Sequence, residues 1–262
     1  MKRKTIQFSV LGVVAYLFFL VTQIPAVYVV SAVESQLEGN TSPVKLYGIE
    51  GTLWDGEAAA VRVAGRMFTD LKWDLQPSAL LLGSMSASLG VRNNDGHLQT
   101  NVSRSFLGNI QLTDVKGRLA ASDLLSLLKI PAIKLDGQFG FNLPELSLSD
   151  NKVTYAEGRV VWNGAGTQFP QKLQLGDLSI DIESSDDVIK AQLKDGGGPL
   201  EASGLLTLDE TGAYDFKGKF AARDGRSSSL ARSLNMMGRA GADGKVDVAN
   251  AGNLSDFGFF VK

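Results

Sequence analysis

The stretch GIEGTLWDGEAAAV, residues 48–61, sets glycines at 48, 51 and 56 around Trp54, and its reading decides the fold. A glycine-rich run invites a phosphate-binding interpretation. That chemistry needs a strand, a glycine loop and a helix, with GxGxxG or GxxxxGK[ST] spacing. Gly48, Gly51 and Gly56 fit neither spacing, and no Lys-Ser/Thr pair follows. The next residues, VRVAGRMF (61–68), alternate as a strand does. The stretch therefore reads as two strand segments with glycines at a bulge or a close crossing of backbones. Trp54 reads as a large core or rim aromatic.

Downstream, period-two alternation recurs. Leu71, Trp73 and Leu75 share one face, as do Leu135, Gly137, Phe139, Phe141 and Leu143. Leu178, Ile180 and Ile182 repeat the pattern, and so do Tyr214, Phe216, Gly218 and Phe220. Such alternation marks strands with one buried and one wet face. Polar turn signals separate them: NNDG (93–96), SSDD (184–187), KDGGGP (194–199) and DETG (209–212). The 29 glycines against 7 prolines agree with many turns and bulges. Two stretches depart from the pattern and predict short helices over an end of the sheet. SDLLSLLKIP opens on Ser122 as an N-cap and stops at Pro131. RSSSLARSLNMMG ends on Gly238 as a C-cap. An echo links Glu50-Gly51…Trp54-Asp55-Gly56 with Glu157-Gly158…Trp162-Asn163-Gly164, at spacings one residue apart. Chance and true repetition both account for it.

Upstream, MKRK precedes 29 residues without charge, 5–33. That exceeds the roughly 20 that span a bilayer. Lys2, Arg3 and Lys4 place the N-terminus in the cytoplasm by the positive-inside rule. A cleaved signal peptide competes, with Val30–Ala32 as its small-x-small site, but its apolar region runs only 7–15 residues. The length favours an uncleaved anchor with Pro25 near its outer end. The organisation predicted is a cytoplasmic tail (1–4), a transmembrane anchor (5–33) and a periplasmic β domain (34–262).

Catalytic chemistry is missing from the pattern. There is no cysteine, so no disulfide, thiolate nucleophile or zinc–thiolate site. The single histidine, His97, follows NNDG and reads as an exposed loop residue; no GxSxG elbow accompanies it. Asp186-Asp187 sits in a polar turn, and the serines of SSSLARS read as helix capping. Net charge is −2, and three of the positive charges are Lys2, Arg3 and Lys4, so the rest is more acidic still. Nothing points to nucleic acid. No catalytic residue, cofactor or metal site is expected.

Taken together, the basic N-terminus, the single anchor and two motifs make the chain similar to protein N of the type II secretion system of Gram-negative bacteria. One motif falls on Gly48, Gly51, Leu53, Trp54 and Gly56; the other on Trp73, Leu75, Pro77, Leu80, Leu81 and Gly83. The resemblance implies a non-enzymatic inner-membrane component of the machine that moves folded periplasmic proteins through an outer-membrane secretin. Its implied partners are other secretion components, meaning the inner-membrane platform and the secretin, and inner-membrane lipid. A similar tryptophan-and-proline pattern occurs in the AsmA-like proteins, open β grooves associated with lipid transport. The expected fold is mainly β: an N-terminal transmembrane helix, then a curved, mostly antiparallel sheet, as an AsmA-like open groove or a rolled sheet, with two short helices. A groove would be lined by Trp73, Phe139, Phe141, Tyr214, Phe216 and Phe220 and would suit acyl chains. A filled core is the alternative.

Overall fold

The computed structural model describes residues 12, 16, 19–36, 44–63, 65–80, 82–93, 96–127, 134–150, 152–169, 172–223 and 228–254. Thirteen strands follow one another: β1 (Val44–Gly51), β2 (Asp55–Val63), β3 (Arg66–Gln76), β4 (Ser84–Asn93), β5 (Gly96–Ser105), β6 (Ile110–Ala120), β7 (Lys134–Ser149), β8 (Lys152–Phe169), β9 (Leu173–Ser185), β10 (Val188–Asp195), β11 (Leu200–Asp209), β12 (Ala213–Ala222) and β13 (Val246–Asn253). Sheet order equals chain order, and every neighbouring pair is antiparallel. The expected mainly β, antiparallel architecture is thus one open meander with β1 and β13 as edges. The run 61–68, read as one strand, is split: β2 stops at Val63 and β3 starts at Arg66, with Gly65 at φ +81° in the turn.

Among the described residues, helices α1 (Ala26–Gln36), α2 (Pro77–Leu80), α3 (Ala121–Leu127) and α4 (Ser228–Met237) accompany the sheet. The two expected short helices are α3 and α4. Helix α3 opens at Ala121, so Ser122 lies inside it and is not its cap; Pro131 lies outside the described residues. Helix α4 ends as expected, with the Gly238 N–H donating to the Leu234 carbonyl at 3.2 Å.

The N-terminal helix is interrupted at Pro25, which the sequence placed near its outer end. Residues 19–22 are helical, the helix stops at Gln23, and α1 starts afresh at Ala26 and runs to Gln36. The cause is Pro25, which has no N–H for the carbonyl of Val21 and whose ring crowds that turn. No helix among the described residues is long and apolar enough to cross a membrane. Lys2, Arg3 and Lys4 lie outside the described residues.

The sheet is rolled. In a flat sheet, β3 and β6 would stand about 14 Å apart at the usual interstrand spacing. Yet Arg66 at the start of β3 pairs at 3.5 Å with Asp123 of α3, directly after β6. Asn93 of β4 donates to the same carboxylate at 2.9 Å. Leu119 of β6 also joins Val61 of β2 and Phe68 of β3 in one buried cluster, flanked by Leu71, Val91, Leu98 and Phe141. A second cluster centres on Ala156, Ile189 and Leu208, with Tyr214 against it. A third lies under α4: Leu200, Ala202, Leu230, Leu234 and Val246, with Phe220 against it.

Bulges keep the apolar side chains on the rolled-in face. Register shifts between Thr69 and Lys72 and between Gln99 and Asn101. Asp70 and Asp114 sit at these breaks with φ near +50°, a conformation aspartate tolerates better than most residues. Across each break two apolar residues three apart, Phe68 with Leu71 and Leu112 with Val115, are both shielded from solvent. Strict alternation would have turned one of each pair to water.

Candidate functional site

The two sequence motifs form one unit at the first hairpin. Gly51 and Gly56 face each other across the β1–β2 pair, and Gly56 is also opposite Trp73 of β3. Gly51 takes φ +83°, which lets the chain reverse through Thr52–Asp55. The Thr52 N–H closes the turn on the Asp55 carbonyl at 2.8 Å. Gly56 has a different reason to be glycine: a β-carbon there would lie 2.4 Å from Cζ2 of Trp73, so the indole lies where a side chain would stand. Gly48 has φ +62°, and its β-carbon would meet that of Ala59 at 2.8 Å.

Hydrogen bonds tie the hairpin tip to β3. The Trp73 indole donates to the Leu53 carbonyl at 3.1 Å, and the Leu75 N–H donates to the Trp54 carbonyl at 2.5 Å. Pro77 opens α2, where a missing N–H costs nothing. Leu80 and Gly83 follow in the turn into β4, Gly83 at φ +77°. Leu81 lies outside the described residues.

The other side of the tip holds the N-terminal helix at its break. Proline at 25 deprives the Val21 carbonyl of its usual i+4 donor. The Trp54 indole N–H supplies one instead, at 2.8 Å. The Leu53 N–H donates to the Ile24 carbonyl at 2.9 Å, and Pro25 bridges to Thr52. Ala26 beyond it is 2% exposed. Trp54 is therefore a clasp between helix and sheet and not a core aromatic. The sequence signal for this site was Pro25 inside the apolar run, which was read as a helix end.

These motifs carry a family signature as well as a geometry. The profile of the type II secretion system protein N family matches residues 42–249. The chain belongs to that family. It is 26% identical over 258 residues to type II secretion system protein N of Aeromonas hydrophila, covering 97% of this chain and 100% of that relative. It is 29% identical over 217 residues to the Vibrio cholerae serotype O1 (strain ATCC 39315 / El Tor Inaba N16961) protein of the same name, covering 80% and 85%. No solved structure matches the chain. Membership of the family supports a role as a type II secretion component, working with others of that system.

Within this family member, the six proposed groove residues are half-buried and are divided along the sheet. Trp73 lies over Gly56. Phe139 stacks on Trp162 at 5.0 Å and neighbours Phe141 at 6.4 Å. Trp162, noted in the sequence only for its echo of the first hairpin, was not among the expected groove residues. Its own N–H is satisfied by the Asp136 carbonyl at 2.8 Å. Phe216 and Phe220 stand 6.4 Å apart, and the Tyr214 hydroxyl donates to Asn250 at 2.5 Å. Phe141, Tyr214 and Phe220 pack against three different clusters.

The opposite face is polar. His97, expected in a loop, is an exposed residue of β5, paired in register with Arg92 and Arg118. These three and Lys72 line a depression of about 880 Å³. The Gly158–Trp162 echo is not a structural repeat of the hairpin, because it lies wholly inside β8.

Proposed function

We propose that this chain is a non-enzymatic scaffold of the type II secretion system, anchored in the inner membrane with its sheet in the periplasm. Lys2, Arg3 and Lys4 ahead of the twenty uncharged residues 5–24 support that topology. The observation that carries the scaffold reading is an edge strand with one side open. Strand β13 pairs with β12; on its other side, among the described residues, helix α4 and a bridge from Ala240 lie near Val246, and no further strand pairs with residues 248–251. Strand β1, the other edge, has α1 beside it. An open edge takes up a partner strand through backbone hydrogen bonds.

The test is in-cell crosslinking of the full-length chain from photoreactive residues at Ala249 and Ala251, with mass spectrometry of protein and lipid adducts. Adducts to the inner-membrane platform or the secretin whose yield from position 249 is lost in Ala251→Pro support strand addition. Adducts to neither overturn it.

A second reading, the AsmA-like lipid groove, draws on the half-buried aromatics Phe139, Trp162 and Phe216 on one sheet face. Phospholipid recovered in stoichiometric amount with the purified chain would favour it. Lipid-free protein that still engages its partners would remove it.

A further inference from the structure

In an antiparallel meander, alternate turns fall at the same end. The turns β1–β2, β3–β4, β5–β6, β7–β8, β9–β10 and β11–β12 therefore share one end of this sheet. Their chemistry is not uniform. The first is Thr52-Leu53-Trp54, clasped to the N-terminal helix. The second carries Leu80 and Leu82, and the third Phe106 and Leu107. The last three carry Asp150, Asp186-Asp187 and Asp209-Glu210.

The second and third turns form one apolar platform. Leu82 is 86% exposed, Leu107 91% and Phe106 69%, with Leu80 and Met85 beside them also exposed. The Phe106 N–H donates to the Gly83 carbonyl at 3.1 Å, which joins the two turns. No charged residue occurs between Pro77 and Val91 or between Ser105 and Thr113. Arg104, opposite Met85 in register, stands at the margin. Helix residues Tyr16, Phe19, Leu20 and Tyr28 are exposed as well. Apolar exposure on this scale marks an interaction surface, and an aromatic and aliphatic tip suits a bilayer interface.

We propose that the turns carrying Leu82 and carrying Phe106 and Leu107 dip into the inner-membrane interface, a second attachment beside the N-terminal helix. The occupant is lipid because the platform lies at the end of the sheet to which the uncharged N-terminal segment is clasped. Two attachments fix the sheet's orientation where one would leave it swinging. This rests on the reading of the N-terminal segment as a membrane anchor.

The absence of cysteine makes the test clean. Full-length single-cysteine variants Leu82→Cys, Leu107→Cys, Thr211→Cys and Leu20→Cys are labelled with an environment-sensitive fluorophore. They are placed in vesicles of phosphatidylethanolamine with a minority of phosphatidylglycerol, with and without headgroup-proximal lipid quenchers. The expected result is blue-shifted, quenched emission at 82 and 107 and water-like emission at 211. Water-like emission at 82 and 107, matching 211, overturns the proposal and gives the platform to a protein partner. Position 20 separates the two readings. If 20 is buried while 82 and 107 are wet, only the second attachment falls. If 20 is wet while 82 and 107 are buried, the second attachment stands and the anchor falls.

Discussion

Gly56→Ala is the substitution that tests the joined motifs most directly. The added β-carbon would sit 2.4 Å from Trp73 Cζ2, 2.8 Å from Cε2 and 2.9 Å from the Glu50 carbonyl oxygen. The backbone oxygen cannot swing away, so the indole must move. Overpacking of this kind costs about 1–3 kcal/mol. Moving the ring also breaks its bond to the Leu53 carbonyl, worth about 1 kcal/mol. Loss of glycine's freedom in the unfolded chain returns about 0.4–1 kcal/mol. The net loss is about 1–3.5 kcal/mol, and at roughly 2–4 °C per kcal/mol for a chain of this size the melting midpoint falls by about 2–14 °C. Gly90→Ala is the control. It lies two strands away, in β4, with φ outside the left-handed region and nothing within 4 Å of its β-carbon. Its midpoint stays level or rises slightly. The assay is thermal unfolding of the detergent-solubilised full chain. In a Trp73→Ala background the ring is gone, and Gly56→Ala loses most of its cost. A midpoint unchanged from Gly90→Ala, or an equal cost with and without Trp73, refutes the reasoning.

Three further expectations follow from the same contacts. Trp54→Phe leaves the Val21 carbonyl without the indole donor, so helix–hairpin docking weakens by about 1 kcal/mol. Hydrogen exchange in residues 49–55 accelerates in consequence, less so in a Pro25→Ala background, where a new N–H serves that carbonyl; unchanged exchange contradicts the clasp. Leu230→Ala empties a site 2% exposed under α4 and costs about 2–5 kcal/mol, whereas Met236→Ala, 89% exposed on the same helix, leaves the urea midpoint in place. Acid should destabilise the sheet. Hydrogen bonds from Arg159 and Lys194 hold Asp181 below its ordinary 3.8, and the Thr211 hydroxyl does the same for Asp209. Folded carboxylates with depressed values bind fewer protons than unfolded ones, so their stabilisation is present above 3.8 and is lost as pH falls below it. Urea midpoints measured across that range should drop, with a shallower slope in Asp181→Asn.

Much of the fold was legible because it is written locally. Alternation over Leu178–Ile182 and Tyr214–Phe220 marks strands whose side chains do face one side. The turns at Asp186-Asp187 and Asp209–Gly212 fall where their residues signalled. The misreadings have physical causes. Gly65 ended a strand that alternation alone would have continued, and Pro25 broke an apolar run that hydropathy treats as seamless. Trp54, read as a core or rim aromatic, is half-buried at the hairpin tip; its bond to a carbonyl 33 residues upstream is not something composition carries. Leu82 and Leu107 drew no notice singly, since an isolated apolar turn residue is ordinary. Only the shared end of the meander makes them a surface.

By itself, then, the sequence determined the β class, the antiparallel meander's punctuation, the two short helices α3 and α4 and the family motif. These depend on residue spacing of two to four, on turn chemistry and on glycine, all properties of near neighbours in the chain. The tertiary structure decided that the two motifs are one hairpin unit, that Leu119 meets Phe68, that the aromatics divide among three clusters, and that three apolar turns and three acidic ones share an end. Those outcomes depend on twist and bulges accumulated over thirteen strands, and small local rotations summed that far bring together residues that no short stretch of sequence relates.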